Sequence, residues 1–417
     1  MQDKSEKQKV NKFLEIFQDN WSKFKNKYPS CDTHHNNRQV DAVMKCGDPN
    51  FGLIQIMCLK CGQDDKVIAH SCKSKFCIKC GRVDGENFSK SIAARLHQEV
   101  DYRHLVLTIP EQFRNLFYWD RFNGDLYNIL IKAAWKFVES LMRELFGEEA
   151  QTGCLAVLHT VGRKCDFKPH IHVMMMAGAI YKNKWKCLPK FDYTILSKLW
   201  KKILLQSMRE WDIEEKYTDL FDFLDKKYKG FVAHIDPKVA PKGKRQLVRY
   251  LSKYLCRPQI TLKRILSYSK TRNEVIYRYQ SHLSGKAEKE VVTPLEFIGR
   301  MIQQILPKGF RRIRSFGLQA SSNIARLTRI VADSMGMLPL TPEVLRRDKA
   351  VSKMSYREFV AEVWKKDPFE CSFCGNIMEV VRIWKPRKGF IFSLFRNLFG
   401  IDVGPPGNLP DFCFQNE

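Results

Sequence analysis

The chain has 417 residues, of which 44% are hydrophobic, and this length is enough for two or three domains with real cores. Its 71 Lys and Arg against 45 Asp and Glu give a net charge of +26, which favours nucleic acid as the partner. The apolar stretches are short and interrupted by charges, and the first ten residues have no apolar signal core, so we expect a cytoplasmic protein without a membrane partner.

The first predicted element is an amphipathic helix from Val10 to Tyr28, because its apolar residues recur at helical spacing and Pro29 follows. A helix with such an apolar face can pack in a core or dock on a partner. We expect it to pack in the core.

A cysteine-rich segment follows, with two C-x-x-C knuckles, Cys58–Cys61 and Cys77–Cys80. Zinc takes four tetrahedral thiolate or imidazole ligands, and a C-x-x-C turn presents two sulfurs at the right separation. We expect both knuckles to be zinc ligands, with Cys46 and Cys72 completing a second site and His70 as a further candidate. In the reducing cytoplasm, structural zinc is favoured over disulfides. Basic residues among these ligands favour a DNA-contacting module.

From residue 103 onwards the pattern predicts strands and a long helix. His104–Pro110 is a short apolar run that ends at proline, and Leu155–Val161 is a second such run. Between them, Trp119–Phe146 carries apolar residues on one helical face and stops at Gly147.

A His-x-His motif, His170 and His172, comes next and leads into an apolar run. In a strand, side chains alternate faces, so both imidazoles point one way while Ile171 points into the core. Two exposed histidines would give the same pattern, but two imidazoles on one face can also bind a divalent metal. The strand should form an antiparallel hairpin with Leu155–Val161, which brings His159 near the pair. We therefore predict Mg²⁺ or Mn²⁺ bound by His170 and His172, with His159 as third ligand or Gln246 as the alternative.

Residues 182–229 are interpreted as a helical insertion, followed by a strand at Phe231–Ile235 and a loop from Asp236 to Lys244. The next stretch, Gln246–Pro258, has no helix breaker before its proline, so Tyr250 and Tyr254 lie four residues apart on one helix face. A metal-binding histidine pair with a downstream tyrosine helix is what a DNA strand-nicking enzyme needs, because the metal polarises a phosphate that a tyrosine hydroxyl attacks. Both tyrosines can be nucleophiles, or one ring can simply pack. Lys253 and Arg257 would steady the phosphate.

The last third of the chain predicts paired strands at Glu274–Tyr279 and Glu290–Thr293 and a helix at Pro294–Leu306. A basic and aromatic stretch follows and could run along a phosphate backbone; its proposed DNA-binding residues are Lys308, Arg311, Arg312 and Arg314. Cys371 and Cys374 have the spacing of half a zinc ribbon, and only Cys413 lies nearby, so metal binding there is left open.

Several of these stretches together resemble the rolling-circle transposases of bacterial insertion sequences, HUH enzymes with two tyrosines and an amino-terminal zinc-binding domain. The stretches that carry the resemblance are the zinc segment up to Cys80, His104–Pro110, Leu158-His-Thr-Val-Gly162, Pro169-His-Ile-His172, Tyr250-Leu-Ser-Lys-Tyr254 and Leu306-Pro-Lys-Gly-Phe-Arg-Arg-Ile-Arg314. Two positions depart from the family: Ile78 stands where proline is usual, and Lys168 where histidine is common.

The resemblance implies an α+β fold with a central antiparallel sheet flanked by helices. It implies that His170 and His172 bind the metal and that Tyr250 and Tyr254 are the nucleophiles. Such enzymes cut one DNA strand, keep a 5′-phosphotyrosine link and free a 3′-hydroxyl, so single-stranded element ends and target DNA are the expected partners.

The predicted domains are an N-terminal helix (1–30), a zinc-binding domain (31–100), the nuclease domain (101–320) and a C-terminal region (321–417). A replication initiator or relaxase with the same chemistry is an alternative, although such enzymes usually lack this zinc segment and often carry a helicase, for which no Walker motif is present. A zinc-dependent DNA-binding regulator without catalysis is the other, and it would not need the paired tyrosines.

Overall fold

The computed structural model describes residues 11–337, 357–358, 361 and 367–399, except residues 75, 98, 191, 213–214, 229, 242–243, 254–259 and 282–283. The chain divides into two compact units. The first unit comprises residues 1–36 and 81–352, and the second comprises residues 37–80 and 353–417. Among the described helices, none has the length and apolar character needed to cross a membrane.

The regular elements are numbered in chain order. The α-helices are α1 (Lys12–Lys27), α2 (His34–Met44), α3 (Ile78–Arg95), α4 (Arg114–Asp120), α5 (Asp125–Phe146), α6 (Thr194–Trp211), α7 (Thr218–Lys226), α8 (Lys244–Leu251), α9 (Pro294–Ile302), α10 (Ile324–Ser334) and α11 (Leu394–Phe399). The strands are β1 (Leu53–Met57), β2 (Asp65–Ala69), β3 (Tyr102–Thr108), β4 (Gly153–Val161), β5 (Phe167–Met176), β6 (Gly178–Tyr181), β7 (Lys184–Cys187), β8 (Ala233–Val239), β9 (Ile265–Ser269), β10 (Glu274–Gln280), β11 (Ala287–Val292), β12 (Ile313–Gly317), β13 (Glu379–Lys385) and β14 (Gly389–Ser393).

A five-stranded antiparallel sheet in the order β12-β4-β5-β3-β8 is the centre of the first unit. One face, which includes Leu107, Leu158 and Ile171, packs under α5 and α6 in a core of fully buried residues. The other face, which includes Val157 and Met174, packs against residues of α3, α8 and α10. The predicted α+β class, with a central antiparallel sheet flanked by helices, is confirmed.

The strands adopt their faces because apolar residues alternate along them. In β3, residues Leu105 and Leu107 are fully buried under the helices, whereas His104, one position before Leu105, belongs to the opposite face. In β5, Ile171 and Val173 are fully buried, and His170 and His172 stand on the other side. The predicted orientation of the histidine pair follows directly from this alternation.

The predicted helix Trp119–Phe146 corresponds to α5, which begins only at Asp125, while Trp119 and Asp120 are the last residues of the separate helix α4. Gly124 between them has φ +83°, a left-handed conformation that interrupts an α-helix. The Asp120 carboxylate accepts a hydrogen bond of 2.7 Å from the Leu126 amide, which lies in the first turn of α5 and has no partner within the helix. The sequence pattern missed this break because apolar residues recur at helical spacing on both sides of it.

Three further segments differ from their predictions. The predicted loop after Ile235 continues as strand β8 up to Val239, and β8 tolerates Pro237 because it lies at the sheet edge and pairs irregularly with β3. The second half of the basic stretch, Ile313–Gly317, is strand β12, which pairs with β4. The predicted helix Pro294–Leu306 ends at Ile302.

A second, three-stranded sheet of the first unit contains the predicted strand pair, because β10 and β11 are antiparallel partners. Helix α1 packs beside it: Phe13 and Phe297 of α9 meet edge to face at 6.2 Å between ring centroids. Phe17 is also fully buried. The amino-terminal helix is therefore a core helix, as expected.

The second unit contains a four-stranded sheet in the order β14-β13-β1-β2. Strand β1 pairs antiparallel with β2, its neighbour in sequence, and with β13, which comes more than 300 residues later. The compact units therefore combine the cysteine-rich segment with the C-terminal region, and the predicted domain boundaries at residues 30, 100 and 320 stay a prediction.

Candidate metal centre and nuclease site

The hairpin of β4 and β5 positions the histidines. Its register places His159 directly opposite His170. In an antiparallel pair, directly opposite residues project on the same face, so the register brings the two imidazoles together. Since His170 and His172 share that face as well, the hairpin alone assembles three imidazoles.

These three residues form one cluster: each offers a ring nitrogen, and the three nitrogens lie within 4.8 Å of one another. Nε2 of His170 and Nε2 of His172 are 3.1 Å apart. The His159 ring lies 4.3 Å from the His172 ring, centroid to centroid. Gln246, the alternative third ligand, is an exposed residue of α8. His159 is the third residue of the cluster.

The hydrogen bonds around the cluster set which nitrogens can bind a metal. The Lys168 carbonyl lies 2.7 Å from His170 Nδ1 and can only accept, so Nδ1 donates and Nε2 keeps its lone pair. Nδ1 of His172 lies 2.8 Å from Nε2 of His104. When His172 donates from Nδ1 to His104, both Nε2 lone pairs face each other, an arrangement that a cation between them would stabilise.

Burial favours the neutral imidazole at His104, His170 and His172 because it lowers their pKa values. It lowers the pKa of His170 to about 4, against the tendency of the Lys168 carbonyl to raise it. It also lowers the pKa of His104 to about 4. The pKa of His172 is held well below its usual value, first by burial and then by the neighbouring histidines. Neutral imidazoles are the form that ligates metals, so the residues present fit a divalent metal.

Helix α8 carries Tyr250 to the same side of the sheet. The half-buried Tyr250 ring meets the His104 ring edge to face at 5.9 Å between centroids, and His104 contacts His172. After Leu251 the chain continues in a wider π-helical turn through Ser252 and Lys253. Lys253 is exposed, whereas Tyr254 and Arg257 lie outside the described residues.

The proposed DNA-binding residues of the basic stretch have different surroundings. Lys308 and Arg311 are exposed. Arg314 is half-buried, donates a hydrogen bond to the Asn128 side chain, and stacks its guanidinium over the Phe310 ring. Arg314 is therefore held by internal contacts. Arg312 is also half-buried, and its carbonyl accepts a hydrogen bond from Leu158.

The second unit holds two groups of four cysteines, in each of which the sulfurs lie within 4.8 Å of one another. The first group comprises Cys46, Cys72, Cys77 and Cys80. In it, the sulfurs of Cys46 and Cys80 are 3.4 Å apart and those of Cys72 and Cys80 are 3.6 Å apart. Cys46 and Cys72, which were expected to complete a second site without being assigned to either knuckle, lie here with Cys77 and Cys80.

The second group comprises Cys58, Cys61, Cys371 and Cys374. The two predicted knuckles therefore lie in different groups, and the ligands that complete the Cys58–Cys61 group come from the C-terminal region. His70, the further candidate, belongs to neither group. Sequence spacing could not decide this grouping, because each C-x-x-C motif supplies only two sulfurs and leaves its partner open.

His104 is the site residue that the sequence analysis missed. It was part of a predicted strand and was given no role. Two signals were present. A histidine in the apolar run His104–Pro110 is unusual, and His104 lies two residues before Val106, the partner of His172, so strand alternation puts it on the same face as His172.

Two protein families match parts of this chain. Residues 153–326, which include the three histidines and α8, match the family described as "Putative transposase". Residues 16–109, which include the first cysteine group, match the family described as "Transposase zinc-binding domain". No solved structure matches the chain.

Two curated proteins are similar over most of their length. The transposase for insertion sequence element IS801 of Pseudomonas savastanoi pv. phaseolicola is 24% identical over 354 residues, which cover 81% of this chain and 82% of that protein. The putative transposase y4qJ of Sinorhizobium fredii (strain NBRC 101917 / NGR234) is 23% identical and covers 81% of this chain and 86% of that protein. The matches to a transposase zinc-binding domain and to a transposase region, together with transposases that are similar over 81% of the chain, show that this chain belongs to the insertion-sequence transposases with a zinc-binding domain.

Proposed function

We propose that this transposase cuts and rejoins single DNA strands by rolling-circle transposition, with Tyr250 and Tyr254 as nucleophiles and a divalent metal at His159, His170 and His172. The observation that carries the proposal is the convergence of three imidazole nitrogens within 4.8 Å, with the Tyr250 ring next to His104 on the same face of the sheet. A non-catalytic DNA-binding protein has no use for this combination.

The metal, when bound, polarises the scissile phosphate and stabilises the charge that builds on its oxygens. Of the two metals expected, the all-imidazole ligand set favours Mn²⁺, because Mg²⁺ prefers oxygen ligands. His170 presents an Nε2 lone pair because its Nδ1 proton is directed to the Lys168 carbonyl. His172 presents its Nε2 lone pair when its Nδ1 donates to His104, and this is the tautomer that a bound metal would select.

The tyrosine hydroxyl attacks phosphorus, loses its proton, and forms a 5′-phosphotyrosine bond while the leaving 3′-oxygen takes up a proton. A phenol ionises near pH 10, so charge stabilisation at the phosphate lowers the need for prior ionisation. Tyr250 and Tyr254 are four residues apart in the sequence, a spacing that on a helix would put both on one face. Such a pair suits a reaction sequence in which one tyrosine keeps the first cut end while the other attacks a second strand. Exposed Lys253 would neutralise the DNA backbone beside them.

The proposal is tested with the full-length protein, single-stranded DNA from the element's ends, and Mn²⁺ or Mg²⁺. The expected product is a covalent adduct that survives denaturing electrophoresis. Tyr250→Phe and Tyr254→Phe should each still form an adduct through the other ring but lose most transposition, and the double variant should form none. Tyr28→Phe is the matched control and should behave as wild type, because Tyr28 is exposed and lies more than 200 residues before Tyr250 in sequence.

Three outcomes would contradict the proposal. If the double variant still forms the adduct, neither tyrosine is the nucleophile. If one single variant behaves as wild type in both adduct formation and transposition, that ring only packs and the enzyme uses one nucleophile. Absence of any adduct with every metal would favour a non-catalytic DNA-binding role. The cytoplasmic location expected from the sequence stays a prediction.

A further inference from the structure

The second cysteine group joins two knuckles that are about three quarters of the chain apart. Sγ of Cys58 lies 3.5 Å from Sγ of Cys374, and Sγ of Cys61 lies 3.6 Å from Sγ of Cys371. A disulfide would bring two sulfurs to about 2.05 Å. Sulfurs at the corners of a tetrahedron around zinc, with bonds of 2.3 Å, are separated by about 3.8 Å. The observed spacing is that of four ligands around one metal.

The two knuckles have the same backbone conformation. In the first, the Gly62 amide donates to the Cys58 carbonyl at 2.9 Å, and in the second, the Gly375 amide donates to the Cys371 carbonyl at 3.0 Å. Both glycines have a left-handed φ, +67° and +71°. A side chain would be strained at either position, so each C-x-x-C-G turn is built to present its two sulfurs in the same way.

Polar contacts fix one knuckle against the other without any metal. The carboxylate of Asp64, after the first knuckle, accepts two hydrogen bonds of 2.7 Å from the amide and the hydroxyl of Ser372, inside the second knuckle. Asp64 is only 6% exposed, and its charge is balanced by Lys66 at 3.3 Å. Lys66 also donates to the Glu370 carbonyl at 2.8 Å. The four sulfurs are therefore held together before metal binds.

The strands beside the knuckles support the same arrangement. The first knuckle follows β1 and the second precedes β13, and these strands pair with Met57 opposite Glu379. Under the sulfurs, Ile56 and Met378 form a small apolar cluster with Cys58 and Cys371. Cys58 is fully buried and Cys371 is 3% exposed, so two unpaired thiolates there would be costly without a metal.

We propose that Cys58, Cys61, Cys371 and Cys374 bind a second structural zinc, separate from that of the first cysteine group, and that the zinc-binding domain is completed by the C-terminal region. The match to the transposase zinc-binding domain ends at residue 109 and includes only half of these ligands. Four thiolates close the coordination shell and leave no position for a water, so this zinc is structural. It links segments 310 residues apart and does not depend on the proposed nuclease reaction.

Zinc content of the purified full-length protein tests the proposal. The measurement uses a His170→Ala/His172→Ala background, so that the imidazole cluster adds no metal to the count. The expected content is two zinc ions per chain. Cys371→Ser/Cys374→Ser should hold one, whereas Cys187→Ser, which changes an exposed cysteine outside both groups, should keep two.

Alkylation of cysteines followed by mass spectrometry separates loss of this site from general misfolding. In Cys371→Ser/Cys374→Ser, Cys58 and Cys61 should become reactive while the first cysteine group stays protected. Cys374→His, which replaces one kind of zinc ligand by another, should bind two zinc ions, as the parent protein does. The proposal is overturned if the double serine variant keeps two zinc ions, if the parent protein holds only one, or if Cys58 and Cys61 stay protected without Cys371 and Cys374. None of these results requires DNA cleavage, so failure here is distinct from failure of the nuclease proposal.

Discussion

Replacing His104 with phenylalanine should weaken metal binding at the histidine cluster. The hydrogen bonds allow two proton arrangements: His104 donates from Nε2 to His172 Nδ1, or His172 donates from Nδ1 to His104 Nε2. In the first, His172 carries its proton on Nε2 and donates to His170 Nε2, 3.1 Å away, which blocks the metal. Metal binding requires the second arrangement, in which His104 is the acceptor. Phenylalanine keeps the ring that packs on Tyr250 but cannot accept.

The expected magnitude follows from the 2.8 Å contact and the burial of His104, which is 7% exposed. Without an acceptor, either the His172 Nδ1–H loses its hydrogen bond, which costs about 1–3 kcal/mol, or the proton stays on Nε2, the nitrogen that should bind the metal. Loss of a partner of a metal-bound histidine typically lowers metal affinity by about 10–100-fold, equivalent to about 1.4–2.7 kcal/mol. The two estimates agree, so His104→Phe should raise the Kd for Mn²⁺ by about 10–100-fold.

Calorimetric titration of Mn²⁺ into the protein measures the effect. His104→Gln is the matched variant: its amide oxygen can accept from His172, so it should recover most of the affinity. Raising the Mn²⁺ concentration should restore the nicking rate of His104→Phe, since the ligands themselves are intact. The reasoning is refuted if His104→Phe binds Mn²⁺ as wild type does, or if His104→Gln is as weak as His104→Phe.

Three other predictions concern stability and DNA binding. In metal-free protein, the pKa of His170 is about 4, below the 6.5 of an unfolded imidazole, so the unfolded chain binds more protons between these pH values. The free energy of unfolding should therefore be highest above pH 6.5 and decrease towards pH 4. Urea unfolding that shows no such decrease would contradict this. Gly317→Ala would place a Cβ 2.1 Å from a backbone oxygen at φ +55°, whereas the Cβ of Gly309→Ala, at φ +79°, would meet no atom within 4 Å. Thermal unfolding should show a stability loss of about 1 kcal/mol for Gly309→Ala and a clearly larger one for Gly317→Ala. Equal losses would argue against the close contact at Gly317. Arg311 is exposed, so Arg311→Ala should reduce by about one the number of counterions released on DNA binding, measured from its salt dependence. Arg314→Ala removes internal contacts and should mainly reduce stability. If Arg314→Ala instead changed the salt dependence and Arg311→Ala did not, Arg314 would be the residue that contacts DNA.

Local features of the fold were predictable because they depend on local periodicity. Alternation along β5 predicts that His170 and His172 share a face, and helical spacing predicts α5 and α8. The break at Gly124 was missed because one glycine within an apolar pattern does not reveal its φ. The continuation of β8 through Pro237 was missed because proline is acceptable only at a sheet edge, and the edge is a property of the assembled sheet.

The candidate site was only partly predictable for a related reason. His159 was placed near the pair by the expectation of a hairpin, but its position opposite His170 required the actual register. His104 lies 68 residues before His172 in sequence, and the contact between them exists only because β3 pairs beside β5. No spacing rule connects the two residues.

By itself, the sequence determined the kinds of ligand in this protein: a His-x-His strand, a tyrosine helix, and C-x-x-C turns that each present two sulfurs. Tertiary structure alone decided which of them meet. Each C-x-x-C turn satisfies half of a tetrahedral shell, and the other half comes from whichever strand pairs alongside. Because β1 pairs with β13, Cys58 and Cys61 meet Cys371 and Cys374 and not the nearby Cys77 and Cys80.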